Sequence, residues 1–118
     1  MIKIYVAGKM SDPECINFLE NVRLGQRAAT ELILLGYAPF CQMLDFQYFL
    51  QLRDGEKITR EMIQRYSLEF LPGCDAMLVL PGYETSEGTK QEIERAEYFD
   101  IPVFYGKESL KKWCDQWK

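Results

Sequence analysis

The sequence contains no histidine, and this absence removes several common kinds of active site at once. Histidine is the base of Ser-His-Asp and Cys-His catalysis and a usual ligand in zinc and non-haem iron sites. The four cysteines are widely spaced and form no CxxC pair, which predicts packed, reduced thiols rather than a zinc or redox site. If the chain is an enzyme, carboxylates must supply its acid, base or nucleophilic chemistry.

Long apolar runs and an excess of basic residues are missing as well. No run approaches the roughly 20 residues that span a bilayer, and the first residues lack the basic, apolar and cleavage regions of a signal peptide. The net charge of -4 argues against a nucleic-acid polymer as partner, although free nucleotides stay open. We therefore expect a cytoplasmic protein with no membrane partner.

What the sequence does contain is the composition of a folded protein. Its 118 residues are 47% hydrophobic and 27% charged, which predicts one domain over residues 1–118. The predicted strands are residues 2–7, 37–40, 75–80 and 101–106. The predicted helices are residues 13–35, 59–71, 88–99 and 109–118. Strands separated by helices predict βαβ units, so we expect an α/β fold, a three-layer Rossmann-like sandwich with a mainly parallel sheet of about four to five strands.

The first predicted helix carries several start and stop signals. Asp12 is placed to cap it, Pro13 suits its first position, and Ser11 with Glu14 has the spacing of a capping box. Gly36 is expected to end it. Its expected inward positions are Phe18, Val22, Gly25, Ala29 and Leu32.

Residues 41–57 are aromatic, irregular in pattern and interrupted by the turn residues Asp54 and Gly55. The helix that follows is expected to begin near Thr59 and to end at Pro72-Gly73. Its expected inward side is formed by Met62, Ile63, Tyr66 and Phe70.

The helix over residues 88–99 has one carboxylate on its inward side. Its core-facing positions are Thr89, Glu92, Ile93, Ala96 and Phe99. Acids in first turns interact favourably with the helix dipole, which would keep Glu92 ionised. An unpaired carboxylate inside a core is costly, so Glu92 is expected to open onto a polar cavity or to have partners. The spacing alone leaves a structural role and a site role equally open.

Two strand-to-helix corners have the sequence of ligand-binding loops: AGKMSD after the first strand and PGYETSEGT after the third. Gly8, Gly82 and Gly88 let the backbone approach a ligand closely, and the helix N-termini that follow favour an anionic or sugar-like group. Lys9 is a candidate phosphate contact, with a solvated loop lysine as the alternative. AGKMS does not complete the GxxxxGK[ST] loop of ATPases, so that class is excluded.

Three blocks of the sequence resemble one family. IKIYVAGKM, GCDAMLVLPG and SEGTKQEIERA are similar, in order and spacing over nearly the whole chain, to the nucleoside 2-deoxyribosyltransferase superfamily with its small nucleotide N-glycosidase members. The GTxxE piece also resembles the PGGxGTxxE signature of the cytokinin-activating phosphoribohydrolases. The resemblance implies a deoxyribosyltransferase-like domain over residues 1–118 that cleaves or exchanges the N-glycosidic bond of a (deoxy)nucleoside or nucleoside 5′-monophosphate.

The resemblance also implies roles for individual residues. Glu92 would attack the anomeric carbon of a (deoxy)ribosyl group and form a covalent glycosyl-enzyme, which water or a second base would release. Tyr5 and Gly8 would lie near the sugar and base, and Gly88 and Thr89 at the turn lining the sugar or phosphate side. It further implies no metal, no cofactor, and a homodimer or higher homo-oligomer in which a neighbouring subunit helps to complete the site.

Two serines depart from the family pattern. Ser86 stands six residues before Glu92, where the family often has an aspartate, and Ser67 is the nearest match to another active-site aspartate. The general acid for the leaving base is therefore unassigned. The candidate substitutes are Asp75, Glu84 and Glu87, of which Asp75 is more readily read as a cap where its strand begins. The serines favour either a 5′-phosphate, accommodated without charge repulsion, or a loss of catalysis.

Other functions stay open beside the enzyme. One is a module on the same fold that binds a nucleotide or nucleotide derivative without turnover, as a sensor. Another is a fold that serves protein contacts only. Phe46, Tyr48 and Phe49 fit a base-stacking cover of the pocket as well as a core or an interface.

Overall fold

The computed structural model describes residues 1–117, and its centre is a four-stranded parallel sheet. The strands are β1 (Lys3–Ala7), β2 (Ala38–Cys41), β3 (Ala76–Val79) and β4 (Val103–Phe104). The helices are α1 (Cys15–Leu34), α2 (Phe46–Phe49), α3 (Arg60–Phe70), α4 (Glu87–Tyr98) and α5 (Lys107–Asp115). The last predicted helix was expected to reach Lys118, which lies outside the described residues. Within residues 1–117, no helix combines the length and the apolar composition of a membrane span.

The order of the strands creates a crevice at one edge of the sheet. The order is β2-β1-β3-β4, and every neighbouring pair is parallel. The chain leaves β1 to form β2 on one side and then crosses back to form β3 on the other. The carboxyl ends of β1 and β3 therefore mark the point where the strand order reverses, which is where open α/β sheets bind ligands.

Side-chain alternation along β1 divides the core into two layers. Ile4 and Val6 point to one face of the sheet and pack with α1 and α5, whereas Tyr5 and Ala7 point to the other face and pack with α4. Helices thus cover both faces, as a parallel sheet requires. The predicted α/β sandwich with its parallel sheet is confirmed, and the alternation puts Tyr5 on the side of the sheet that α4 covers.

α1 begins later than its start signals predict. The helix starts at Cys15 with Glu14 as its N-cap, and no side chain caps it. Asp12 Oδ1 instead accepts a hydrogen bond from the backbone N–H of Glu14 at 2.9 Å, which forms a turn ahead of the helix. The predicted capping box of Ser11 and Glu14 is therefore wrong. The predicted end is confirmed, because Gly36 takes the left-handed conformation with φ of 92°.

The face of α3 that is buried differs from the predicted one. Its buried residues are Ile63 and Ser67, whereas Met62 and Phe70 are 52% and 55% exposed. A serine is tolerated inside because its hydroxyl donates to the Ile63 carbonyl at 2.8 Å. Phe70 stacks on Phe40 of the edge strand β2, with 5.0 Å between ring centroids, rather than entering the core. The expected inward side of α3 is therefore confirmed for Ile63 and wrong for Met62 and Phe70, while Tyr66 is half-buried.

Candidate functional site

A cavity of about 420 Å³ lies at the carboxyl ends of β1, β2 and β3. Its volume falls within the range of small-molecule sites, about 300–1,000 Å³. The wall is formed by the loop after β1, the segment after β2 and the first turns of α3 and α4. Six of the residues proposed as catalytic or substrate-binding line it, namely Gly8, Lys9, Ser86, Gly88, Thr89 and Glu92.

Glu92 reaches this cavity from the second turn of α4. It is only 1% exposed, and its Oε2 atom has no hydrogen-bond partner among residues 1–117. The inward positions of α4 are buried as predicted, with the exception of Phe99, which follows the last residue of the helix and is 37% exposed. The structure therefore places a buried carboxyl group with one unsatisfied oxygen on the wall of a ligand-sized cavity.

The environment of Glu92 favours the neutral acid. Burial raises the pKa of Glu92 to about 8, and the nearby Tyr5 hydroxyl lowers it only in part. The carboxyl group is therefore mostly protonated at pH 7 in the chain without ligand. The expectation that the helix dipole keeps Glu92 ionised is wrong, because the dipole contributes about 0.3–1 kcal/mol. Burial acts against the ionised form, and each unit by which it raises the pKa corresponds to about 1.4 kcal/mol.

Tyr5 lies in β1 on the α4 side of the sheet and is fully buried. Burial raises the pKa of Tyr5, and the neighbouring Glu92 carboxyl raises it further, so the phenol keeps its proton. Its hydroxyl makes no hydrogen bond of normal geometry with any residue from 1 to 117. Tyr5 and Glu92 thus leave two neighbouring polar groups unsatisfied, a costly arrangement unless water or a ligand bonds to them.

The first turn of α4 is fixed by polar contacts at the cavity. Ser86 caps the helix, since its Oγ accepts a hydrogen bond from the Thr89 N–H at 3.2 Å and lies 2.8 Å from Thr89 Oγ1. The Gly88 carbonyl accepts a hydrogen bond from Gln64 Nε2 at 3.0 Å. This bond ties α4 to α3 across one side of the cavity.

The loop after β1 forms the opposite side. A Cβ atom on Gly8 would lie 2.9 Å from Leu80 Cδ1 and 3.0 Å from Met43 Cε, so the close packing here favours glycine. Lys9 Nζ donates to Thr85 Oγ1 at 3.2 Å and lies 3.8 Å from Asp12 Oδ2. Lys9 thereby links this loop to the turn before α4, with its charge partly neutralised by Asp12.

Comparison with known proteins identifies the family of the chain and a solved structure with the same fold. Residues 3–106 match the family model described as Domain of unknown function (DUF7768). The chain belongs to this family. The DUF7768 chain also shares its fold with a solved structure described as a 2-deoxyribosyltransferase from the psychrotolerant bacterium Bacillus psychrosaccharolyticus. That match has a TM-score of 0.61 and 21% sequence identity, and it covers 86% of this chain and 69% of the other. No curated protein matches the sequence significantly.

Three of the residues proposed from the DUF7768 sequence are not brought to the cavity wall. Tyr5 is fully buried, Ser67 is buried with its hydroxyl bonded to a backbone carbonyl, and Gly82 forms a turn after β3 with φ of 92°. Among the candidate acids, Asp75 lies at the other end of the sheet, where its Oδ2 accepts a hydrogen bond from the Lys3 N–H at 2.8 Å. Glu87 lines the cavity, but its side chain is largely exposed and lies near Lys90.

The cavity wall also includes three polar residues that sequence patterns did not single out. The added polar residues are Gln42, Gln64 and Arg60, and the apolar side comprises Phe18, Phe46, Phe49, Ile58 and Ile63. Gln42 directly follows β2, so the rule that ligands bind at strand carboxyl ends could have found it. Arg60 and Gln64 reach the cavity from a helix distant along the chain, for which no local signal exists. Within residues 1–117, no group of three or more potential metal ligands is clustered.

Proposed function

We propose that this chain cleaves or exchanges the N-glycosidic bond of a (deoxy)nucleoside or nucleoside 5′-monophosphate, with Glu92 as the nucleophile. The observation that carries the proposal is the Glu92 carboxyl group, buried, without a hydrogen bond to Oε2 and on the cavity wall at the strand-order reversal. The likeness of the fold to a 2-deoxyribosyltransferase supports this reaction over other uses of such a cavity.

The proposed chemistry proceeds in two displacements. A Glu92 carboxylate oxygen bonds to the anomeric carbon as the N-glycosidic bond breaks, and the bonding electron pair leaves with the base, which takes up a proton. Water or a second base then attacks the same carbon and releases Glu92. Gly8, Lys9, Gly88 and Thr89 are proposed to bind the substrate, and the Tyr5 hydroxyl to donate a hydrogen bond to the reacting carboxylate.

The raised pKa of Glu92 sets a condition on this reaction, because the nucleophile is the ionised form. We expect the rate of base release to increase as the pH rises towards about 8. The same neutral carboxyl group favours a second candidate function, binding of a nucleotide or nucleotide derivative without turnover. A protonated Glu92 is a hydrogen-bond donor for a ligand and a poor nucleophile.

Base release distinguishes the two functions. The chain is incubated with a panel of nucleosides and 5′-monophosphates, with and without an acceptor base, and free base is measured by chromatography. We expect release by the wild type and at least a 100-fold loss, roughly the effect of removing an essential catalytic group, in Glu92→Gln. Glu94→Gln, an exposed position on the same helix, is the matched control and should keep full activity.

Two results would count against the enzyme. If no substrate releases its base but ligand binding is measurable, the chain is a binding module without turnover. Equal release by the wild type and Glu92→Gln would remove Glu92 from the reaction.

We further propose that the chain acts as a single domain in a homodimer or higher homo-oligomer. A row of ring contacts runs across the surface beside the edge strand β2, through Phe40, Phe70, Tyr66 and Tyr48. Phe70 and Tyr48 in this aromatic row are each 55% exposed. Exposed contiguous apolar surface of this kind is typical of subunit interfaces.

A further inference from the structure

The charged groups on the cavity wall are not all paired. Its cations are Lys9 and Arg60, and its acids are Glu87 and Glu92. Lys9 lies 3.8 Å from Asp12 Oδ2, and Glu87 Oε1 lies 3.7 Å from Lys90 Nζ. Arg60 has no ion-pair partner in the part of the chain that the structure describes, residues 1–117. The wall therefore presents one unpaired guanidinium group.

The position of Arg60 suits contact with a ligand. It is the first residue of α3, directly after the N-cap Thr59, and its neighbour Ile58 also lines the cavity. The molecule has a net charge of -4, so its overall field does not attract anions. A guanidinium group on the wall supplies local attraction and presents paired N–H donors that match phosphate oxygens.

The serines that the sequence favoured for a phosphate are already engaged. The Ser86 hydroxyl accepts a hydrogen bond from the Thr89 N–H and pairs with the Thr89 hydroxyl, and the Ser67 hydroxyl donates to the Ile63 carbonyl. Ser67 is also absent from the cavity wall. Ser67 is therefore excluded as the phosphate contact, and the Ser86–Thr89 pair offers one neutral hydroxyl donor and no charge. Arg60 has the charge and the unused donors that this contact requires.

We propose that Arg60 is the specificity-determining residue of the cavity and that it selects nucleoside 5′-monophosphates over nucleosides by binding the phosphate. The apolar side of the cavity, with Phe18, Phe46 and Phe49, is then left for the base. This inference rests on the proposed nucleoside or nucleotide ligand, but it does not require that the ligand be cleaved.

The test measures binding without turnover, so that it is independent of the base-release assay. Glu92→Gln is titrated by calorimetry with each of several nucleosides and with the matching 5′-monophosphates. The same titrations are repeated with three double variants, in which Glu92→Gln is combined with Arg60→Gln, Arg60→Lys or Arg65→Gln. Arg65 is exposed on the same helix and does not line the cavity, which makes Arg65→Gln the matched control. Thermal melting checks that each variant is folded.

We expect the parent of these double variants, Glu92→Gln, to bind 5′-monophosphates more tightly than nucleosides. Arg60→Gln should raise the Kd of the 5′-monophosphate by about 10-fold to 100-fold, the usual effect of losing a charged hydrogen bond, and leave the Kd of the nucleoside unchanged. Arg60→Lys should recover part of the loss, and Arg65→Gln should have no effect.

Three outcomes would overturn the inference. The first is equal weakening of nucleoside and nucleotide binding by Arg60→Gln, which would place Arg60 at the base or sugar. The second is no change in either ligand, and the third is a parent that binds no 5′-monophosphate. Base release from nucleosides with any of these outcomes would leave the proposed reaction standing while removing the phosphate contact. If Arg60→Gln loses its preference for 5′-monophosphates but the wild type releases no base from any substrate, the phosphate contact would stand and the proposed reaction would be removed.

Discussion

At the scale of single residues, Glu92 combines a cost to the fold with a position suited to chemistry. Burial makes the ionised carboxyl group unfavourable, and Oε2 finds no compensating hydrogen bond within residues 1–117. Ionisable groups with strongly shifted pKa values in clefts are frequent at functional sites. The fold therefore loses stability whenever Glu92 ionises, and this loss can be measured without knowing the ligand.

We predict that the free energy of unfolding falls as the pH rises from about 4.5 to about 8, because Glu92 holds its proton more tightly in the folded state, where its pKa is about 8, than in the unfolded state, where it is 4.5. Below this window both states are protonated and the stability is fully present. Above it, both states are ionised and the folded state has lost roughly 3–5 kcal/mol. Urea unfolding at a series of pH values measures the slope.

Glu92→Gln removes the titrating group and should flatten this slope, so that the variant is more stable than the wild type above pH 8. Because the chain has no histidine, no imidazole group titrates between pH 4.5 and pH 8 and obscures the slope. Glu94→Gln, at an exposed position, is the control and should keep the slope of the wild type. Asp45, whose pKa burial also raises, contributes a slope of the same sign. Identical slopes in the wild type and Glu92→Gln would contradict the buried, neutral Glu92.

At the scale of elements, the contact between α1 and the turn after β2 fixes one wall of the cavity. A Cβ atom on Gly25 would lie 2.4 Å from Met43 Cγ and 2.6 Å from Met43 Sδ, and Met43 is fully buried. The preceding residue, Gln42, lines the cavity. A glycine inside α1 thus allows the helix to approach the segment that carries a polar cavity residue.

We predict that Gly25→Ala destabilises the wild type and stabilises a Met43→Ala background. Alanine improves helix propensity by roughly 1 kcal/mol, whereas overpacking against Met43 costs about 1–3 kcal/mol. The expected net loss is therefore about 1 kcal/mol in the wild type. Without the Met43 side chain, the propensity gain of about 1 kcal/mol should remain. Urea unfolding of the four chains in this double-mutant cycle measures both values, and the same sign in both backgrounds would contradict the close contact.

Local patterns predicted the order and type of the main elements because β1, β3 and α4 have simple apolar patterns, and because Gly8 and Pro81 closely follow β1 and β3. They failed for α3, where long-range packing rather than hydrophobicity decides that Ser67 is buried and Phe70 exposed. Glu92 could be singled out because its own helix makes it anomalous. Arg60 could not be singled out from the sequence, because only the packing of α3 near the sheet edge brings it to the cavity.

At the scale of the whole molecule, the aromatic row beside β2 is the surface that we propose for contact with a second copy of the chain. Three of its four rings lie on α2 and α3, the segments that also contribute Phe49 and Arg60 to the cavity. An isologous interface brings the same patch of each copy together about a two-fold axis. Association through the row would therefore place two cavities near the interface.

We predict that the wild type is a homo-oligomer and that Phe70→Glu shifts it towards the monomer, because a charge within the row opposes burial of its surface. Sedimentation equilibrium over a range of protein concentrations measures the mass. Tyr98→Glu is the matched control, since Tyr98 is an exposed aromatic residue on α4 outside the row and its replacement should leave the mass unchanged. A monomeric wild type at all concentrations would contradict the proposed oligomer. An unchanged oligomer in Phe70→Glu would place the interface elsewhere on the surface.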